Sequence, residues 1–344
     1  MPPRAAALTG YASGLVFFGF GFSWFGETAG SLVGPFAPLL VLGPASVEAL
    51  AFAFAALVAS FAARRLDVRV VPLVAAAAFA LFEAMRSEGV LGVPFSQIGV
   101  AMVASPLRPL AAFIGGYGLT FATVLCGASL GWWLLAARDL RRLSVAVACW
   151  ALVVAGTLAA FALWPARSSL AATTRVAAIQ GGIEQSLKAT PDGVALALQR
   201  YTTLTQSLQA AHAKLILWPE TVIMTDVLAS PQLETQFAAL ARQTGAVLYV
   251  GNVPAVPGIG PTNALAIFDP RVPGDRPAAL YEKEQLVPFA EYVPGPEWLR
   301  SLPLAQNVGA YNPGRNVRET YDGAAPLICW ESVFGDLAHE RLRE

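Results

Sequence analysis

The sequence predicts a two-part chain, a polytopic α-helical membrane domain over residues 1–164 and a layered α/β domain over 175–344, joined by a linker at 165–174. Three observations predict it. Apolar residues make up 56% of the chain and charged residues 13%, and the mean hydropathy of +0.55 is that of a protein solvated partly by lipid. The charge is uneven, with long apolar runs and short basic clusters up to residue 164 and most of the Asp and Glu beyond it. At about the same point the pattern changes from long apolar stretches to short apolar runs closed by turn residues, the pattern of strands and helices in a layered fold.

A spanning helix needs about 20 apolar residues. Five stretches qualify, at approximately 5–25, 46–63, 69–86, 109–137 and 144–164. The third carries Glu83 and Arg86 in its last turn, spaced to pair on one face or to snorkel to the interface. The stretch 28–44 holds Gly30, Gly34, Pro35, Pro38, Gly43 and Pro44 and is expected to be a loop at or in the membrane surface. A basic start before an apolar run is also the pattern of a cleaved signal peptide. Phe22-Ser-Trp-Phe-Gly offers no small-residue cleavage site, however, so residues 1–25 are read as an anchor. If five helices alternate, Arg4, Arg64, Arg65, Arg69, Arg138, Arg141 and Arg142 share one side, whereas the opposite loops contain only Arg108. The excess of basic residues marks the cytoplasmic side. The amino terminus is therefore expected in the cytoplasm and residue 165 onward outside it, in the periplasm of a bacterium.

Beyond the linker, Val176-Ala-Ala-Ile-Gln-Gly reads as a strand and 191–213 as a helix with Asp192 in its first turn. A strand at 215–218, a helix at 231–244, a strand at 246–251 and strands near 263–268 and 277–282 follow. A proline- and glycine-rich excursion, 293–323, leads to an expected strand at 325–329 and a helix at 332–343.

Three reactive side chains close short apolar runs: Glu220 after Leu215-Ile-Leu-Trp-Pro, Lys283 after Tyr281-Glu, and Cys329 after Leu327-Ile. Each has an ordinary reading. Glu220 could cap the segment that begins at Thr221, Lys283 could lie in a solvated turn, and Cys329 could be buried core. Together they supply what an acyl-transferring thiol requires: a nucleophile, a base to take its proton, and a cation for the oxyanion. Net charge is zero and there is no basic patch with interleaved aromatics, so nucleic acid is not expected as a partner. Cys126, Cys149 and Cys329 show no metal spacing, and with His212 and His339 as the only histidines no metal site is expected.

The blocks Leu215-Ile-Leu-Trp-Pro-Glu220, Tyr281-Glu-Lys283-Glu-Gln-Leu-Val-Pro-Phe-Ala-Glu291-Tyr-Val-Pro294 and Ile328-Cys329-Trp330-Glu331 resemble, in order and wording, those of the bacterial apolipoprotein N-acyltransferases, membrane-embedded members of the nitrilase superfamily. Phe17-Phe-Gly-Phe-Gly-Phe-Ser-Trp24, Glu83-Ala-Met-Arg86 with Pro94, Gly116-Tyr-Gly-Leu-Thr-Phe121 and Gln180-Gly-Gly-Ile-Glu-Gln-Ser-Leu-Lys188 are similar to further stretches of that family. The resemblance implies a nitrilase-like αββα sandwich with Glu220 as general base, Lys283 as oxyanion stabiliser, Cys329 as nucleophile, and Glu291 and Glu331 as supporting acids. It also implies a phospholipid acyl donor, a thioester on Cys329, and the amine of a diacylglyceryl-cysteine apolipoprotein as acceptor. No cofactor is implied, and the location would be the bacterial inner membrane.

The chain departs from the family pattern at Gly182, where Asn is usual, at Ala189, where Trp is common, and at Trp330, where Tyr is usual. It also ends 15 residues past Cys329, so the sandwich is expected to be incomplete at its carboxy-terminal side. Two other readings stay open: hydrolysis of an amide or nitrile by the same triad, and a catalytically inactive membrane homologue.

Overall fold

The computed structural model describes residues 1–26, 37–67, 69–87, 92–135, 139–163, 174–208, 212–301, 305, 308–315 and 320–341. They form two compact units, Met1–Ser168 and Ser169–Glu344. Arg138, residues 28–36 of the expected loop and 165–173 of the linker lie outside the described residues.

The first unit is helical. Among the described residues its helices longer than four residues are α1 (Pro3–Gly21), α2 (Ala37–Glu48), α3 (Leu50–Arg65), α4 (Val71–Ser87), α5 (Ala111–Leu134) and α6 (Leu140–Leu163). Among the described residues three helical stretches are long and apolar enough to cross a membrane, Val41–Arg65, Arg108–Leu134 and Leu140–Leu163. The other two expected crossings are helical as α1 and α4. The loop expected at 28–44 is overturned over 37–44, which is helical, with Pro44 inside α2. Apolar surroundings explain this: a backbone group without water must find an intrachain partner, and a helix supplies nearly all of them at the cost of one bond per proline.

Helices α1 and α3, α3 and α4, α4 and α5, and α5 and α6 pack against each other. The first pair is close because Gly10 and Gly14 on α1 meet α3 and the residue preceding it; a Cβ at Gly10 would stand 2.5 Å from the Phe52 carbonyl oxygen. Arg86 does not snorkel. Its guanidinium is buried, lies 2.8 Å from Glu48 Oε2 and 3.6 Å from Glu83 Oε1, and donates to the Val93 and Phe95 carbonyls at 2.8 and 3.1 Å. Glu83 accepts from the Ile98 N–H at 3.0 Å and from the Thr120 hydroxyl. One buried polar cluster thus ties α2, α4, α5 and the 93–98 segment.

The second unit is built on a five-stranded mixed sheet. Strands β1 (Val176–Ala178), β2 (Leu215–Leu217) and β3 (Val247–Asn252) run parallel; β6 (Ala264–Phe268) and β7 (Ala279–Glu282) continue it antiparallel, in the order β1-β2-β3-β6-β7. A two-stranded ribbon, β4 (Ala255–Val256) and β5 (Gly260–Pro261), bridges β3 and β6. Its helices are α7 (Gln185–Lys188), α8 (Pro191–Ser207), α9 (Pro231–Thr244) and α10 (Gly335–Arg341). The side-chain period of two sorts the sheet residues. Ile216, Leu248, Val250, Ala266 and Phe268 pack with Tyr201 of α8 and Phe237 of α9 in the main core. Leu217, Tyr249, Leu265 and Ile267 face the other way, against Tyr321 and Ala324. Helices α8 and α9 begin at Thr190 and Ser230, whose side chains accept from the Gly193 and Leu233 N–H groups, caps worth about 1 kcal/mol each.

Two expected elements differ. Helix α8 ends at Ser207 rather than continuing to 213. The strand expected at 325–329 is absent from the sheet: residues 325–328 have no regular structure and Cys329–Val333 form a 3₁₀ turn. Pro326 has no N–H for a ladder, and Glu331 draws the Ile328 N–H into the turn instead, at 2.8 Å.

Candidate active site

Glu220, Lys283 and Cys329 are far apart in sequence, and the fold of the second unit brings them together at one end of the sheet. Glu220 lies in the turn after β2. That turn is pressed against β3, where a Cβ on Gly251 would stand 2.0 Å from the Pro219 carbonyl oxygen and 2.7 Å from the Thr221 nitrogen, so β3 approaches as closely as a glycine permits. No helix starts at Thr221, which excludes the capping reading of Glu220. Lys283 follows β7 directly and is fully buried at 0% exposure, which excludes the solvated turn. Cys329 is exposed and opens the 3₁₀ turn rather than ending a strand. It does so with φ 49°, a left-handed conformation that costs a non-glycine residue on the order of 1–3 kcal/mol and persists only where the surroundings enforce it.

The enforcement comes from Glu331. Its carboxylate, 0% exposed, accepts from the Ile328 N–H at 2.8 Å and the Tyr281 hydroxyl at 2.7 Å through Oε2. Through Oε1 it accepts from the Glu284 and Gln285 N–H groups at 2.7 and 3.3 Å. The cysteine turn is thereby fastened to the end of β7 on both sides of Lys283. Arg341 closes the cluster, donating to the Pro326 carbonyl at 3.1 Å, with its guanidinium 3.9 Å from Glu331 Oε1 and 4.5 Å over the Tyr281 ring. Burial, and then the Glu331 carboxylate, push the Tyr281 phenol up, so it remains a donor. Trp330 is buried and packs edge-to-face on Phe334 with ring centroids 5.9 Å apart.

Lys283 Nζ donates to Glu220 Oε1 at 2.9 Å and to Glu291 Oε2 at 2.8 Å. The Asn263 amide bridges the same two carboxylates, 2.7 Å from each, and the Val287 N–H adds a bond of 2.8 Å to Glu291. Burial alone would raise the Glu220 carboxyl, but the Lys283 ammonium and the Asn263 amide outweigh it and hold the group below its ordinary value. Burial likewise acts to lower Lys283, and the two carboxylates overcome it and raise the ammonium. Although Cys329 is exposed, partial desolvation of its thiol and then the Glu220 carboxylate push it up, against the pull of Lys283. Both residues line one cavity, and each acts on the other's ionisation. The pair is a thiol and a carboxylate at one site, residue types that can serve as nucleophile and base. Beside them is a cavity of about 290 Å³ lined by Leu215, Leu217, Tyr249, Leu265 and residues 324–329.

Sequence reasoning missed Asn263 and Tyr281. The signal for Asn263 was a polar residue at the head of the apolar run Ala264–Phe268; its buried position at 1% exposure is visible only in the fold. No cluster of three or more His, Cys, Asp or Glu side chains that could hold a metal occurs among the described residues.

Residues 2–129 match the family model described as the apolipoprotein N-acyltransferase N-terminal domain, and residues 175–343 match that of the carbon-nitrogen hydrolases. The chain is 31% identical to the apolipoprotein N-acyltransferases of Azotobacter vinelandii and Caulobacter vibrioides, in each case over 98% of this chain and 66% of the relative. To that of Pseudomonas syringae pv. tomato it is 30% identical, over 98% of this chain and 68% of the relative. The chain therefore spans about two thirds of the length of the curated relatives it matches. Its similarity to a solved structure, the NitN amidase of Neterenkonia sp. AN1, covers 42% of the chain at 18% identity with a TM-score of 0.27, too slight to bear on function. With both of its units matched and identity sustained along nearly its whole length, the chain belongs to the apolipoprotein N-acyltransferase family.

Proposed function

We propose that the chain carries an acyl group on Cys329, taken from a phospholipid ester and given to the amino-terminal amine of a diacylglyceryl-cysteine apolipoprotein. The observation that carries this reading is the cavity shared by Cys329, on a strained turn, and Glu220, whose carboxylate lies 2.9 Å from the buried ammonium of Lys283. Glu220 takes the thiol proton as sulfur attacks the ester carbonyl. Two of the three Lys283 N–H donors go to Glu220 and Glu291, which leaves the third for the oxyanion. Collapse breaks the ester C–O bond, Glu220 returns the proton to the departing lysophospholipid, and a thioester remains. The acceptor amine then attacks the thioester and gives up its proton through Glu220 as the amide forms, and Cys329 regains its thiol. Glu291 and Asn263 hold Lys283 and Glu220 in place; Glu331 holds the cysteine turn.

The three helices fit for crossing make this a membrane protein, which suits two lipid-borne substrates. With the amino terminus in the cytoplasm, the five expected crossings would put the site on the periplasmic side of the inner membrane. With water as the acceptor, the same groups would hydrolyse amides, a reading favoured by the carbon-nitrogen hydrolase match; release of ammonia without lipid dependence would identify it.

The test is intact-mass analysis of the detergent-purified chain after incubation with phospholipid. A hydroxylamine-labile acyl adduct is expected on the parent and not on Cys329→Ser. A folded parent that acquires no adduct would show that this polypeptide is inactive by itself.

A further inference from the structure

A second lysine reaches the thiol site from an element to which the mechanism above gives no role. Lys188 closes the turn α7, and its Nζ donates to the main-chain oxygen of Glu220 at 3.0 Å and to Thr221 Oγ1 at 2.9 Å. Thr221 is buried and β-branched, yet it sits at φ 44°, a conformation such a residue holds only when its surroundings over-determine it. Gly251 packs under this turn, and Lys188 grips its two oxygens.

The charges around the sulfur give Lys188 a second task. Once the proton has moved from Cys329 to Glu220, the charges nearby are the Glu291 carboxylate, the ammonium groups of Lys283 and Lys188, and the Glu331–Arg341 pair that holds the cysteine turn. Among these, Glu291 offsets Lys283 and Glu331 offsets Arg341, so Lys188 carries the net positive charge. Lys188 interacts with both the Glu220 carboxylate and the Cys329 sulfur; burial acts to lower its ammonium, and these two groups pull it back only in part. On its own element, Glu184 is turned to the Ser186 hydroxyl, at 2.7 Å. Across Glu220 stand Lys283 and Glu291.

We propose that Lys188 is a positioning residue of the thiol site, holding the turn that carries Glu220 and supplying the positive charge that leaves the Cys329 thiolate in a net cationic surrounding. This rests on the reading of Cys329 as the nucleophile.

The experiment measures the rate of Cys329 alkylation by iodoacetamide against pH, by peptide mass on the full chain in detergent, for the parent, Lys188→Met, Lys188→Gln and Lys188→Arg. In both neutral variants the midpoint of the profile should rise by about one unit, the direction expected when a nearby opposite charge is removed. Lys188→Arg keeps the charge and should keep the parent's midpoint. Neutral variants that melt lower but leave the midpoint unmoved would reduce Lys188 to a structural prop and overturn the proposal. So would a Lys188→Arg midpoint displaced as far as theirs. If neither neutral variant folds, the Lys188→Arg profile decides, since a displaced midpoint in a folded chain that retains the charge contradicts the assignment. Failure of phospholipid to acylate Cys329 on the parent would instead remove the nucleophile reading, and is scored separately.

Discussion

Glu220 shows how one residue's surroundings set its pH behaviour. Its folded carboxyl lies below the ordinary value of 4.5. The stabilisation from its ionised contacts is therefore fully present above that value and is lost as pH falls through the lower folded value. Glu220→Gln should accordingly melt below the parent at pH 7, with the gap narrowing as pH is lowered below about 4.5. A gap in thermal midpoint that stays constant over that range would mean that Lys283 does not hold the carboxylate as the geometry indicates. At this scale the sequence was informative about identity and silent about partners. It marked Glu220, Lys283 and Cys329 by their places at the ends of apolar runs. That Asn263 bridges two carboxylates, or that Glu331 fastens the cysteine turn to β7, depends on residues 28 to 50 positions apart meeting in space.

Two elements make sharper demands than their composition suggests. The turn after β2 rests on Gly251, so Gly251→Ala must push Pro219 and Thr221 away and carry Glu220 with them. The expected outcome is at least a tenfold loss of Cys329 acylation, about 1.4 kcal/mol of lost barrier lowering, with the far-ultraviolet spectrum unchanged. Acylation at the parent's rate would show that the turn tolerates the displacement. In the helical unit, Arg86 on α4 is the cation between buried Glu48 and Glu83. Arg86→Met leaves two buried carboxylates facing each other and should cost on the order of 3–5 kcal/mol, read as a lower detergent melting temperature and recovered in part by the further change Glu48→Gln. The run 69–86 was legible as a helix, but whether its charges snorkel or pair was not, because snorkelling and pairing use the same side chains at the same spacing.

For the whole molecule, the orientation proposed above would put Cys329 outside the cytoplasm. A membrane-impermeant maleimide added to spheroplasts should label the exposed Cys329 before lysis. Labelling only after lysis would reverse the orientation and put the thiol out of reach of periplasmic acceptors. The second unit also leaves one face of its sheet, with Leu217, Tyr249, Leu265 and Ile267, against the segment around Tyr321 and Ala324 rather than against helices. This agrees with the expected nitrilase-like sandwich that is incomplete at its carboxy-terminal side, and the chain spans about two thirds of its relatives' length.

Local chemistry is written along the chain, and so the sequence by itself determined the helical half, the alternation of strands and helices, the α9 boundaries at 231–244, and the three reactive residues with their order. These follow from periodicity, capping and the side chains' own reactivity. Only the tertiary structure decided that 37–44 is helical, that 325–328 leaves the sheet, that Lys283 is buried rather than solvated, and that Lys188 and Asn263 belong to the site. Each of those outcomes depends on which distant backbone or charge arrives to satisfy a polar group. That pairing energy is a property of the folded arrangement and has no periodic trace in the sequence.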